Sequence, residues 1–252
     1  MLDMQRLGPA SLVLVRHGES IGNLADRAAR EAGAARLDLQ DRDADVPLSD
    51  TGREQADALG RHLKGLDATA RPTAVVSSPY RRSADTARLA VATAGLSTPF
   101  MHDERLRERE LGVFDGLTGT GIRAEYGAEA KRREHLGKFY YRPPGGESWC
   151  DVALRVRSFL RDVGTRPGTD RLWIFTHQAV ITCFRYVLEG MDEAAVLELD
   201  RTVIVPNAST TTYRRGPAGV PELVDYASTA AVESRGTTAT HEPDHAGRGK
   251  AS

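Results

Sequence analysis

Cysteine is scarce in this chain: Cys150 and Cys183 are the only two in 252 residues. Two thiols are too few for a disulfide framework and the wrong number for a four-thiolate zinc site. Long apolar runs are missing too. No stretch approaches the roughly 20 residues that a bilayer-spanning helix needs. The N-terminal MLDMQRLGPA lacks the charged-then-apolar order of a secretory signal. Nor is there an excess of charge of one sign. The formal net charge is -1, so no global field draws the chain to nucleic acid or to an anionic membrane, although a local basic pocket is compatible with that balance. There is no G-x-x-x-x-G-K-[ST] phosphate loop. What is present, 40% hydrophobic and 27% charged residues, is the composition of a globular protein. The expectation is a cytoplasmic protein with no nucleic-acid or membrane partner.

Short β-branched apolar runs alternate with helical patterns. Residues 11–16, SLVLVR, read as a buried strand ending at a turn, and residues 73–77 and RLWIFT (171–176) read as further strands. PFMHDERLRE supplies a third, short strand. Helical spacing covers residues 21–35, a stretch after the N-cap Ser49, a helix opened by Pro79, one starting at Glu147 or Ser148, and AVITCFRYVLEG (179–190). Residues 209–213 and 222–226 read as a terminal hairpin. This alternation predicts an α/β fold, a three-layer α/β/α sandwich around a mostly parallel sheet, with its site at the carboxyl ends of the strands. One domain is expected over residues 1–227. Residues 228–252 are small, polar and neutral overall, and are expected to be a disordered tail.

Two strands end in the same punctuation. The first runs into Arg16-His17-Gly18-Glu19-Ser20 and a later one into Thr176-His177-Gln178. A parallel sheet brings both histidines to one edge. Each precedes a helix start, where free N–H groups and the helix dipole favour an anion. Arg16 stands beside the first, and Arg81 and Arg82 open another helix at that edge. Guanidinium groups suit a tetrahedral phosphate because they bind two oxygens at once. Asp41, Asp43 and Asp45 imitate the start of a calcium loop, but Val46 stands at the glycine position and Gly52 where the closing Glu belongs, so no metal is expected. Cys183, in an apolar helix, reads as a packing residue. The sequence leaves open whether Tyr140, Tyr141 and Trp149 are core or pocket wall.

R-H-G-E-S resembles the signature of the histidine phosphatase superfamily, which includes cofactor-dependent phosphoglycerate mutase and fructose-2,6-bisphosphatase. Three further blocks follow in the family's order. Residues 77–87, SSPYRRSADTA, resemble the second block, with its arginine at Arg82. LRERELG (106–112) resembles the block carrying the acid, at Glu108. Residues 176–180, THQAV, resemble the block with the second histidine. The resemblance implies that His17 becomes phosphohistidine, that Arg16, Arg82, His177 and Asn23 hold the phosphoryl oxygens, and that Glu108 protonates the leaving oxygen and later deprotonates water. Glu110, two residues away, is the competing acid. It also implies a small phosphorylated metabolite as partner and no cofactor, and it leaves a homo-oligomer open.

Residues 138–149, KFYYRPPGGESW, together with His177-Gln178-Ala179-Val180, resemble the fructose-2,6-bisphosphatase branch. That likeness implies that Lys138, Gln178 and Arg133 face the distal end of the substrate. There are departures. Gly119 stands where the bisphosphatase has a tyrosine, Thr182 where it has an arginine, and residues 24–46 form an insertion. The implied activity is hydrolysis of phosphate monoesters. The mutase is the alternative, although mutases carry a long insertion between Pro-Pro and the following Glu-Ser that is absent from Pro144-Gly145-Gly146-Glu147-Ser148. A non-catalytic phospho-ligand binding module is the third reading, and it would need neither nucleophile nor acid.

Overall fold

In the computed structural model, which describes residues 9–241, the apolar run after Ala10 forms strand β1 (Ser11–Arg16), buried from Leu12 onward. Helix α1 (Ile21–Glu31) follows, then a 3₁₀ turn at Asp43–Asp45 and α2 (Asp50–Gly65). Next come β2 (Ala74–Ser77), α3 (Arg81–Ala94) and β3 (Phe100–His102). Two 3₁₀ turns (Glu104–Leu106 and Gly112–Phe114) lead into α4 (Gly119–Glu125) and α5 (Gly127–Leu136). The remainder is α6 (Trp149–Thr165), β4 (Arg171–Thr176), α7 (Gln178–Leu188), α8 (Glu193–Thr202), β5 (Thr210–Arg215), β6 (Pro221–Ser228) and α9 (Ala230–Glu233).

The strands lie in one sheet, in the order β3-β2-β4-β1-β5-β6. β1 and β2 both pair parallel to β4, and β2 pairs parallel to β3. The hairpin β5–β6 adds two antiparallel strands at the far edge. Successive side chains of a strand point to opposite faces, and β1 shows the consequence. Leu12 and Leu14 pack with Val156, Phe159 and Phe184 of α6 and α7. Val13 and Val15 pack with Leu59 and Ala87 of α2 and α3 on the other face. Each such large buried side chain contributes about 1.5–3 kcal/mol. The three-layer, mostly parallel architecture is therefore as the sequence predicts.

Local signals set the helix starts. Ser20 caps α1 and Ser148 caps α6, each in a reciprocal capping box with the residue three on, Asn23 and Asp151. Ser49 caps α2 by accepting from the Gly52 N–H at 3.0 Å. α3 starts at Arg81 with Tyr80 as its N-cap, so Pro79 lies just outside. Gly52 is required by a close approach: a Cβ there would lie 1.9 Å from the Glu19 carbonyl oxygen. That contact seats the start of α2 against the loop after His17.

The expected disorder of residues 228–252 is corrected where the chain is described. Ser228 ends β6, and α9 buries Ala231 and Val232 in the α2–α3 core. Residues 237–241 then run back under α2, where Gln55 Nε2 donates to Thr238 O at 3.0 Å and to Thr240 Oγ1 at 3.1 Å. Tertiary hydrogen bonds and two small apolar side chains order this stretch despite its polar composition. Residues 242–252 of the expected tail lie outside the described residues.

Candidate active site

β1 and β4 are in register with Arg16 opposite Thr176, so the next residues, His17 and His177, emerge together at the carboxyl edge. Their ring centroids are 5.1 Å apart. His17 Nδ1–H donates to the Gly18 carbonyl at 2.7 Å. Arg82 Nε–H donates to His17 Nε2 at 3.3 Å. Both contacts specify one neutral tautomer, with the proton on Nδ1 and the lone pair on Nε2. That is the form a nucleophilic imidazole needs.

A cavity of about 520 Å³ opens in front of His17. Arg16, Asn23, Arg82, Glu108 and Gln178 line it, as do Arg109, Arg133 and Lys138. His177 does not. It is fully buried, its Nε2 is 2.9 Å from Ser78 Oγ, and its ring is packed edge-on against Tyr80. Burial, with the Arg82 cation next, drives the His177 pKa down and keeps the ring neutral. The structure thus sets His177 behind His17 rather than on the cavity wall.

Glu108 follows the Glu104–Leu106 turn, on a segment tied to the sheet by Thr176 Oγ–H, which donates to Leu106 O at 2.7 Å. Arg155 of α6 braces the same segment, donating to Arg105 O at 2.5 Å and to Glu108 O at 3.3 Å. Glu108 Oε1 accepts from the Arg109 N–H at 2.8 Å. Burial nevertheless raises its pKa, with the Asp43 carboxylate adding to the effect, while the Arg109 N–H and the Arg82 and Arg155 cations pull it down. Glu110 also lines the cavity, but Glu110 Oε1 accepts from the Gly112 N–H at 3.0 Å and so turns back onto its own loop.

Of the expected distal contacts, Arg133 and Gln178 line the cavity. Lys138 does so too, but it is ion-paired with Asp200 and sits over the Trp149 ring, 5.1 Å from the centroid. Its charge is thus already matched by the Asp200 carboxylate. Two residues with roles here carry no distinct signal in the sequence. Arg109 lines the cavity with no ion pair among the described residues, and burial plus the nearby Arg133 cation lower its pKa. Only its position next to Glu108 points to it. Asp43, one of the aspartates in the loop that imitates a calcium site, is paired to Arg82: Arg82 Nη1 lies 2.9 Å from Asp43 Oδ1 and donates to Asp43 O at 2.5 Å. The expected insertion, residues 24–46, therefore supplies an anion to a cavity arginine. It is docked across the cavity rim, where Leu37 N–H donates to Gly116 O at 2.9 Å and Thr118 N–H donates to Ala35 O at 3.0 Å.

The model of the histidine phosphatase superfamily (branch 1) matches residues 12–228. The chain belongs to this superfamily. It is 37% identical over 157 residues to 2,3-bisphosphoglycerate-dependent phosphoglycerate mutase 2 of Gloeobacter violaceus, a match covering 61% of this chain and 64% of the relative. It is 32% identical over 187 residues to glucosyl-3-phosphoglycerate phosphatase of Mycolicibacterium vanbaalenii, covering 71% of this chain and 74% of the relative. The chain spans between about half and two thirds of the length of the first curated relatives it matches. Among solved structures, mycobacterial glucosyl-3-phosphoglycerate phosphatase in complex with VO3 is similar, with a TM-score of 0.64 and 29% identity, covering 87% of this chain and 100% of that one. The relatives that this chain resembles therefore include proteins named as mutases and proteins named as phosphatases. Among the described residues, no helix is long and apolar enough to cross a membrane.

Proposed function

We propose that this protein hydrolyses small phosphate monoesters in the cytoplasm through a phosphohistidine on His17. The observation that carries this reading is the His17 imidazole, held with its Nε2 lone pair toward Arg82 in a cavity that Glu108 also lines. In the first step Nε2 forms a bond to phosphorus as the ester P–O bond breaks, and Glu108 gives its proton to the leaving oxygen. In the second, Glu108 takes a proton from water as the water oxygen attacks phosphorus, the N–P bond breaks and phosphate leaves. Arg16 and Arg82 offset charge on the transferring group, and the Asn23 amide adds a donor. His177 acts through its packing against the nucleophile ring. Arg109 and Arg133 suit a substrate with a second anionic group, held about one sugar-length away.

The 37%-identical mutase keeps phosphoryl transfer back to the substrate in view as the second reading. The loop at residues 143–148 favours hydrolysis. Gly146 N–H closes a turn onto Pro143 O at 2.8 Å, and Glu147 N–H donates to Glu110 O at 2.9 Å. The segment braces the acid loop and has no length left to cover the cavity against water. With 3-phosphoglycerate and a trace of the 2,3-bisphosphate, free phosphate release should exceed isomerisation. Isomerisation outrunning release by a wide margin would make the protein a mutase.

Asp43 sits on the arginine that this mechanism needs for phosphate. An incoming phosphoryl group competes with that carboxylate for the guanidinium. Asp43→Asn should therefore tighten inhibition by vanadate, by roughly 3- to 10-fold, the worth of about one charge-assisted hydrogen bond. Weaker inhibition would mean instead that Asp43 holds Arg82 in its working orientation.

A further inference from the structure

Glu19, Gln55, Asn207 and Thr240 form a chain of hydrogen bonds whose polarity is fixed at every link. It begins at the Glu19 N–H, which donates to Gln55 Oε1 at 2.8 Å. That leaves Gln55 Nε2 as donor, and it donates to Thr240 Oγ1 at 3.1 Å. The Thr240 hydroxyl, having accepted, donates to Asn207 Oδ1 at 3.2 Å. Asn207 Nδ2 then faces inward and donates to the His17 carbonyl and to Asn23 Oδ1, both at 3.2 Å. Asn23 Oδ1 also accepts from the Ser20 N–H at 2.8 Å. A flipped Asn23 amide would set its NH₂ against two donors, so this orientation is the only one that satisfies the network. Asn23 Nδ2 makes no hydrogen bond among the described residues, and Asn23 lines the cavity. Asn207 is fully buried, which makes an unmatched group there costly.

The closing link lies outside the part of the chain matched by the family model, which ends at residue 228. Thr240 is tied down at its main chain as well: the Asn207 N–H donates to Thr240 O at 2.6 Å. We propose that Thr240 is a positioning residue for phosphoryl binding: through Gln55 and Asn207 it fixes the Asn23 amide with Nδ2 toward the phosphoryl site beside His17. The proposal rests on the reading of His17 as the nucleophile. The C-terminal segment is then part of the catalytic apparatus rather than an appendage to the fold.

The test is Thr240→Val, which removes the hydroxyl, keeps the shape and keeps the main-chain carbonyl. The vanadate inhibition constant should rise roughly 3- to 30-fold, as for one or two lost hydrogen bonds in a buried network, with little change in melting temperature. Thr240→Ser should restore it. In an Asn23→Ala background, Thr240→Val should add nothing, because the group it positions is gone. Amide hydrogen exchange at Glu19 and Ser20 should quicken in Thr240→Val and stay unchanged in α6, whatever the turnover. Unchanged inhibition with unchanged exchange overturns the proposal. So does an equal loss in the Asn23→Ala background, which would mark a general effect on the fold. A wild-type protein that neither hydrolyses phosphate monoesters nor binds vanadate ends the phosphatase reading, while the exchange at Glu19 and Ser20 still decides whether the relay holds.

Discussion

His17→Ala is expected to abolish both turnover and phosphoenzyme formation. Wild-type protein incubated with a labelled phosphate monoester and quenched in alkali should carry label that acid then releases, the behaviour of a phosphoramidate. The variant should carry none, and its kcat should fall on the order of 10⁴-fold or more, because the covalent route is lost outright. The fold should survive. The His17 main chain is held independently of its ring, by its N–H donating to Thr176 O at 3.0 Å and by its carbonyl accepting from Ala208 N–H at 3.1 Å. Alanine keeps both. Equal labelling of wild type and variant would remove His17 from the chemistry and move the search to another nucleophile.

The legibility of this site in the amino-acid sequence follows from where its parts sit. His17 and His177 each follow a short, largely apolar strand, and parallel pairing of two such strands leaves both at one edge. Arg82 lies at the start of a helix that follows a third strand. Motif order carries Glu108, which no local pattern would find on an irregular segment. Pairings between distant residues are what sequence does not reach. Lys138 and Asp200 are 62 positions apart, and Asp43 and Arg82 are 39 apart; neither pair leaves a trace in periodicity. α5 buries no side chain in full, so it offers no apolar stripe to read, and α8 buries only Val196 and Asp200. The C-terminal segment misleads for the same reason. Its composition is that of a disordered tail, and its order comes from the partners Gln55 and Asn207 supply.

Glu108→Gln should separate acid catalysis from phosphoryl binding. For alkyl phosphates, whose leaving oxygen needs a proton, turnover should fall roughly 10²–10⁴-fold. For p-nitrophenyl phosphate the loss should be much smaller, because that leaving group departs as an anion. Affinity for vanadate should change little by comparison. The pH dependence carries a sign that can be checked. Burial raises the Glu108 pKa, and the Asp43 carboxylate adds to it, so the protonated acid persists to higher pH than an ordinary carboxylic acid would. The rate with alkyl phosphates should therefore hold above the usual carboxylate range and decline as pH rises through the raised value. Glu108→Gln should lose that descending limb. Asp43→Asn should move it to lower pH, since the nearby negative charge that favours the protonated form is gone. Glu110→Gln is the control. Its carboxylate accepts from the Gly112 N–H and is committed to its own turn, so its loss should affect alkyl and aryl substrates alike. If the dependence on leaving group belongs to Glu110 and not to Glu108, the acid lies two residues further along the loop than the geometry indicates.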